Sequence, residues 1–261
     1  MREYSRHCVR TQEIDMASEG SSNVERAGEI LVHLGNAGTE GLALQTIAAQ
    51  LGDAKSATRR ALVALSIRGF VETTAKRGHY RLGPAIYGLA NKPSTVNDLV
   101  ARFRPVVMAV AARTGHSTYL MTRAGFEALC IDMHEGNAII RTLSGGVGGR
   151  IPLGVGPGSL CILSALDEVT RNTVIEHNAG RYVERGTDSQ SVTAMVENVQ
   201  RQGFSYDISL TYPEAAGVAC LIERPDLGAI AAISIAMPSA QMKDGTASDI
   251  VRIIREEVNC R

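Results

Sequence analysis

Leu51-Gly52-Asp53-Ala54-Lys55-Ser56-Ala57-Thr58-Arg59-Arg60-Ala61-Leu62 decides the fold of the first third of the chain. Gly52 closes a short helix whose apolar positions are Leu42, Leu44, Ile47, Ala48 and Leu51, since glycine accepts the left-handed backbone that ends helices. A new helix is expected from Lys55 to Arg68, stopped by Gly69. Its Ala61, Leu62 and Leu65 point one way. Ser56, Arg59 and Arg60 share the other side, because residues three and four apart are neighbours on a helix. One face serves the fold; the other is polar and basic. Arginine can grip guanine in a bidentate fork, and short polar side chains suit base edges and phosphates.

Upstream, Asn23 is expected to cap a helix with Val24, Ala27, Ile30, Leu31 and Leu34 at helical spacing, ended by Gly35, Asn36 and Gly38. Downstream, Phe70–Thr74 and His79–Leu82 read as short strands joined by the hairpin turn Ala75-Lys76-Arg77-Gly78. Three helices followed by a small hairpin is the order of a winged helix-turn-helix. Residues 54–81 hold seven basic side chains against one acidic, Glu72. That local excess suits a polyanion. Lys76, Arg77 and Arg81 on the hairpin are placed to reach phosphates or a neighbouring minor groove.

The chain as a whole is neutral, but unevenly so. Residues 1–92 carry 12 basic against 9 acidic side chains, and residues 93–261 carry 15 against 18. At 44% hydrophobic and 21% charged the composition is that of a globular protein, and 261 residues suit two domains or one large one. The five cysteines (Cys8, Cys130, Cys161, Cys220, Cys260) are odd in number and lack C-x-x-C spacing, which speaks against a disulfide framework or zinc site and for a reducing compartment. No apolar run approaches a bilayer span and no signal core opens the chain, so a cytoplasmic protein with no membrane partner is expected.

Asn91-Lys92-Pro93-Ser94 is the best boundary, lying between helices expected at Pro84–Ala90 and Val96–Arg113. The expected organisation is a mobile tail over 1–21, a winged helix-turn-helix over 22–83, a linker helix over 84–95, and a second domain over 96–261. In that domain β-like runs at Ser117–Arg123, Ala128–Met133, Asn137–Leu143, Ala219–Glu223 and Ala229–Ala236 alternate with helices near Ser159–Leu166, Val192–Gln202 and Ala247–Glu257. The fold class is therefore α+β, with helices packed on a sheet in a sensor-type domain.

Several stretches are similar to the IclR-type transcription regulators: Asn23-Val24-Glu25-Arg26-Ala27, the run quoted above, Arg68-Gly69-Phe70-Val71 and Gly78-His79-Tyr80-Arg81-Leu82-Gly83. In the second domain Gly149 to Leu160, Gln202 to Asp207, Gly217 to Cys220 and Ala231 to Ala236 continue the likeness, which runs from about residue 23 to 257. The resemblance implies a winged-helix DNA-binding domain, a linker helix, and a GAF-like α/β domain that binds an effector and makes dimers or tetramers. It implies DNA contact by Lys55, Ser56, Arg59 and Arg60, with Arg26 supporting or joining that contact. It implies an effector pocket drawing on Gly154, Val155, Asp207, Cys220 and Ser234. The chain departs from the family pattern at Ala54, where Pro is usual, at Ala57, where Thr is usual, and at Arg59, where His is usual. The stretch Ile208–Ala216 is longer than the usual spacer.

An enzyme is not expected. The histidines are scattered, and no H-E-x-x-H or G-x-S-x-G occurs. The glycine-rich loop is not a nucleotide P-loop, since no Gly-Lys-Ser/Thr follows. No metal or cofactor is expected. The reading is a ligand-responsive regulator, repressor or activator, of a catabolic operon. It would bind operator DNA as a homo-oligomer and sense a small organic acid. The alternative is a thiol redox sensor using Cys161 or Cys220.

Overall fold

The computed structural model describes residues 21–137, 146–208, 213–224, 226 and 228–260. The tail expected over 1–21 falls outside that range except for Ser21, as does nearly all of the strand expected over Asn137–Leu143. Packing divides the chain into two units between Lys92 and Pro93.

The first unit holds α1 (Ser22–Gly35), β1 (Leu42–Ala43), α2 (Leu44–Leu51), α3 (Lys55–Ile67), β2 (Val71–Thr73), β3 (His79–Leu82) and α4 (Pro84–Ala90). Ile30, Leu34, Ile47, Leu62 and Val71 form its core. The three helices and the β2–β3 hairpin are those expected, with several differences. Asn23 is not the cap of α1: the helix starts at Ser22 behind Ser21, and the Asn23 side-chain oxygen accepts from Arg26 instead. Val24 is 71% exposed and belongs to the outer face of α1. Leu42 is not helical, because Leu42 and Ala43 pair with Tyr80 and His79 as an extra strand, giving the sheet order β1-β3-β2. That strand approaches so closely that a Cβ on Gly41 would lie 2.2 Å from the Tyr80 carbonyl oxygen. The helix expected at Pro84–Ala90 is observed with those bounds and does not fill the linker segment 84–95. It stops at Ala90 because Pro93 lacks an amide hydrogen and disfavours helical backbone at Lys92.

The second unit opens with α5 (Thr95–Thr114), whose first turn is capped by Ser94 Oγ accepting from the Asn97 amide. Then come β4 (Ser117–Ala124), β5 (Glu127–His134), β6 (Arg150–Pro152), α6 (Pro157–Ser164), α7 (Glu168–Val183), α8 (Ser189–Gln202), β7 (Ser205–Ile208), β8 (Ala215–Arg224), β9 (Ala229–Pro238) and α9 (Thr246–Asn259). The strands form one antiparallel sheet in the order β6-β5-β4-β9-β8-β7. Helices cover both faces. On one side Leu99, Phe103 and Val110 of α5 and Ile250 and Ile254 of α9 pack on Leu120, Val218, Ile222, Ile233 and Ile235. On the other, Leu160, Leu163, Val174, Tyr182, Val192 and Val196 of α6–α8 pack on Tyr119, Met121, Ala219, Ala232 and Ala236. Side chains alternate across a strand, so β9, buried on both faces, must be apolar throughout, and Ala229–Pro238 is so apart from Ser234.

Candidate functional site

The first unit presents a basic face. Thr58 and Leu62 of α3 are fully buried, which fixes the helix rotation and leaves Lys55, Ser56, Arg59 and Arg60 exposed together. Val63, half exposed, extends the same face by one turn. Lys55 Nζ donates to Gln45 Oε1 at 3.3 Å, tying the start of α3 to α2.

Arg26 does something different. Its Nε and Nη2 donate to the two Asp53 carboxylate oxygens, and Nη1 donates to Asn23 Oδ1 at 2.8 Å. Only 14% of its side chain is exposed. The fork holds α1 to the turn between α2 and α3, and the guanidinium keeps the Asp53 carboxyl below its ordinary range. Of the two roles the resemblance implied, this geometry fits support of the reading helix. On the hairpin, Lys76 and Arg77 stand exposed at the turn, while Arg81 Nε donates to Glu72 Oε1 at 2.7 Å.

The second unit encloses a pocket between the α6–α8 side of the sheet and the loop before α6. The empty space in it, open solvent at the mouth included, is about 960 Å³. Gly154, Val155, Asp207 and Ser234 line it. Cys220 does not. In the β8–β9 register Ser234 faces Ala219 and Cys220 faces Ile233, so Cys220 lies on the opposite side of the sheet, packed toward α5 and α9.

The loop is held from below. Tyr182, fully buried, donates from its hydroxyl to the Leu153 carbonyl at 2.6 Å, and Asn178 Nδ2 donates to the Phe126 carbonyl at 2.8 Å. Ser159 Oγ donates back to the Val155 and Gly156 carbonyls at the start of α6. The first intrahelical bond of α6 is Leu160 amide to Gly156 carbonyl, so the Gly158 and Ser159 amides precede the ladder and favour negative charge at this wall. Gly158 must be glycine for the helix start to sit on β9: an added Cβ would lie 3.0 Å from Ser234 Cβ.

Two charged groups enter the pocket. Asp207, on edge strand β7 opposite Gly217, is half-buried, and burial pushes its carboxyl up to about 6. Arg185, which the sequence reading missed, comes from the turn between α7 and α8, along with Thr187. Met121, Leu160 and Met195 supply apolar wall.

The cysteines are poorly suited to redox sensing. Cys161 and Cys220 are buried, and burial pushes their thiols up to about 12 and about 11, away from the reactive thiolate. Among the described residues no helix is long and apolar enough to cross a membrane.

A winged helix-turn-helix with an exposed basic reading helix, joined to a separate α/β domain with an enclosed pocket, defines the class of DNA-binding transcription regulators that carry an effector-binding domain. The chain belongs to the IclR family. The model of the IclR helix-turn-helix domain matches residues 23–75, and that of the bacterial transcriptional regulator IclR C-terminal domain matches residues 93–259. The HTH-type transcriptional regulator TtgV of Pseudomonas putida is 24% identical over 222 residues, 85% of this chain and 83% of that protein. The HTH-type transcriptional regulator BhcR of Paracoccus denitrificans is 26% identical over 235 residues, 88% of this chain and 82% of that one. The fold matches the crystal structure of an IclR transcriptional regulator from Alicyclobacillus acidocaldarius with a TM-score of 0.72 at 22% identity, over 92% of this chain and 97% of that one. It also matches an IclR homologue from Microbacterium hydrocarbonoxydans complexed with 4-hydroxybenzoate, with a TM-score of 0.69 at 20% identity, over 92% of this chain and all of that one. Members of this family are transcription regulators and not enzymes.

Proposed function

We propose that the chain controls a catabolic operon in the cytoplasm, binding a near-palindromic operator as a homodimer or homotetramer and responding to a small organic acid held in the pocket. Lys55, Ser56, Arg59 and Arg60 contact the operator, and Lys76 and Arg77 hold its phosphates. The ion pair with Glu72 makes Arg81 the weaker phosphate ligand of the hairpin. Gly154, Val155, Asp207 and Ser234 form the effector site; Cys220 is left out of it. The observation that carries the reading is the pairing, in one chain, of an exposed basic α3 with a pocket walled by a helix start.

The test measures operator binding by fluorescence anisotropy while small organic acids are added, with 4-hydroxybenzoate among them because a structural relative carries it. At least one acid is expected to raise the melting temperature and change DNA affinity. If no acid across broad metabolite classes changes either, the sensing half of the reading fails.

The hairpin makes a separate prediction. Lys76→Ala/Arg77→Ala is expected to weaken binding about equally for all DNA sequences and to flatten the plot of log affinity against log salt by roughly 2. A salt slope equal to that of the wild type removes the hairpin from the interface.

A further inference from the structure

The pocket carries two opposite charges that do not satisfy each other. Asp207 enters from the edge strand and Arg185 from the α7–α8 turn, and both line the same cavity. Neither side chain has a hydrogen-bond or ion-pair partner among the described residues. Burial is the cause of the raised Asp207 carboxyl, and no neighbouring cation offsets it. Met121, Leu160 and Met195 give the same cavity apolar wall, and methionine adapts to varied shapes.

Half-buried charges left unpaired are costly, and a ligand that pairs them recovers that cost on binding. A plain carboxylate could pair with Arg185 but would leave Asp207 unpaired and be repelled by it. A plain amine could pair with Asp207 and leave Arg185 unpaired. Only a molecule with both groups satisfies both ends.

We propose that the effector is an aminocarboxylate, a small molecule with an apolar body whose ammonium pairs with Asp207 and whose carboxylate pairs with Arg185. This rests on the reading of the pocket as the effector site and narrows its organic acid to a zwitterion. The proposal assigns Arg185 a ligand-binding role and makes Asp207 the group that discriminates against simple acids.

The experiment uses the full chain and calorimetric titration. The probes are the proteinogenic amino acids, 4-aminobutyrate, 5-aminopentanoate and 4-(aminomethyl)benzoate. Each is set beside the same molecule lacking its amine and the same molecule lacking its carboxylate. At least one aminocarboxylate is expected to bind about tenfold to a hundredfold more tightly than either truncated partner, as charge-assisted hydrogen bonds warrant. Asp207→Asn is expected to abolish the preference over the deaminated acid and Arg185→Gln the preference over the amine. Melting of the unliganded variants checks that they fold, and Asp207→Ala stands in if the asparagine disturbs the strand.

Acidification supplies a second readout. Among the described lining residues the other ionisable groups are Arg185 and Tyr119. With the Asp207 carboxyl at about 6, aminocarboxylate affinity is expected to fall as the pH drops through that value in the wild type and not in Asp207→Asn. A deaminated acid that binds as tightly as its amino counterpart and shifts DNA affinity overturns the zwitterion and leaves the pocket reading standing. Failure of every aminocarboxylate and every simple acid overturns both.

Discussion

Arg59→Ala/Arg60→Ala is expected to abolish sequence-specific operator binding while leaving the first unit folded. Both side chains are exposed, and the buried positions of α3 are Thr58 and Leu62, so neither truncation opens the core. Alanine is also the better helix former, so α3 loses nothing intrinsically. What is lost is recognition. Each arginine that reads a base is worth about 1–3 kcal/mol of discrimination, so the pair accounts for roughly thirtyfold to twenty-thousandfold in the ratio of specific to non-specific affinity. The ratio is the quantity to measure, by titrating operator and scrambled duplexes at one salt concentration. The single variants should also differ in kind. A base-reading arginine relaxes preference at one operator position, whereas a phosphate-binding one weakens all sequences alike. Arg59 stands where the family usually has His, so Arg59→His is expected to change which base is preferred and not merely to weaken binding. Wild-type affinity and selectivity in the double variant would take α3 out of the groove.

The reading helix was legible because one residue class settles each side of it. Leu62 had to go in and two adjacent arginines had to stay out, which leaves no freedom in rotation. The sensing domain was legible only in outline. Helix α7 went unread because Val169, Thr170, Thr173 and Val174 weigh toward strand, although Asp167 accepting from the Thr170 amide is an ordinary start signal. The short strands β6 and β7 offer too few residues for a period and exist because β5 and β8 provide edges for them. The face of Cys220 could not be read from composition either. Small residues occupy both sides of β8, and only the register with β9 separates Cys220 from Ser234. Arg185 is the clearest case. In Val183-Glu184-Arg185-Gly186 nothing local marks it off from a surface arginine. The packing of α7 and α8 over the sheet is what carries it to the pocket.

Gly154→Ala is expected to destabilise the second unit severely. Its backbone sits at φ +100°, a region that side chains rarely adopt, which by itself costs about 1–3 kcal/mol. The added Cβ would lie 2.7 Å from Tyr182 Oη and 2.8 Å from Val192 Cγ1. Neither neighbour can withdraw, since both are fully buried and the Tyr182 hydroxyl is committed to the Leu153 carbonyl. Overpacking at such a site adds about 1–3 kcal/mol. Urea unfolding monitored through the second unit should therefore show a loss of about 2–6 kcal/mol. Tyr182→Phe alone should lose only about 1 kcal/mol, the net worth of one hydrogen bond, because the ring still fills its space. Combined, the two should cost less than their sum, since removing Oη vacates the position against which the new methyl is pressed, though Cζ at 3.1 Å still crowds it. Such coupling ties the loop that walls the pocket to the buried face of α7. Strict additivity of the two losses would mean that the loop relaxes independently of Tyr182, and that the glycine is required by its backbone alone.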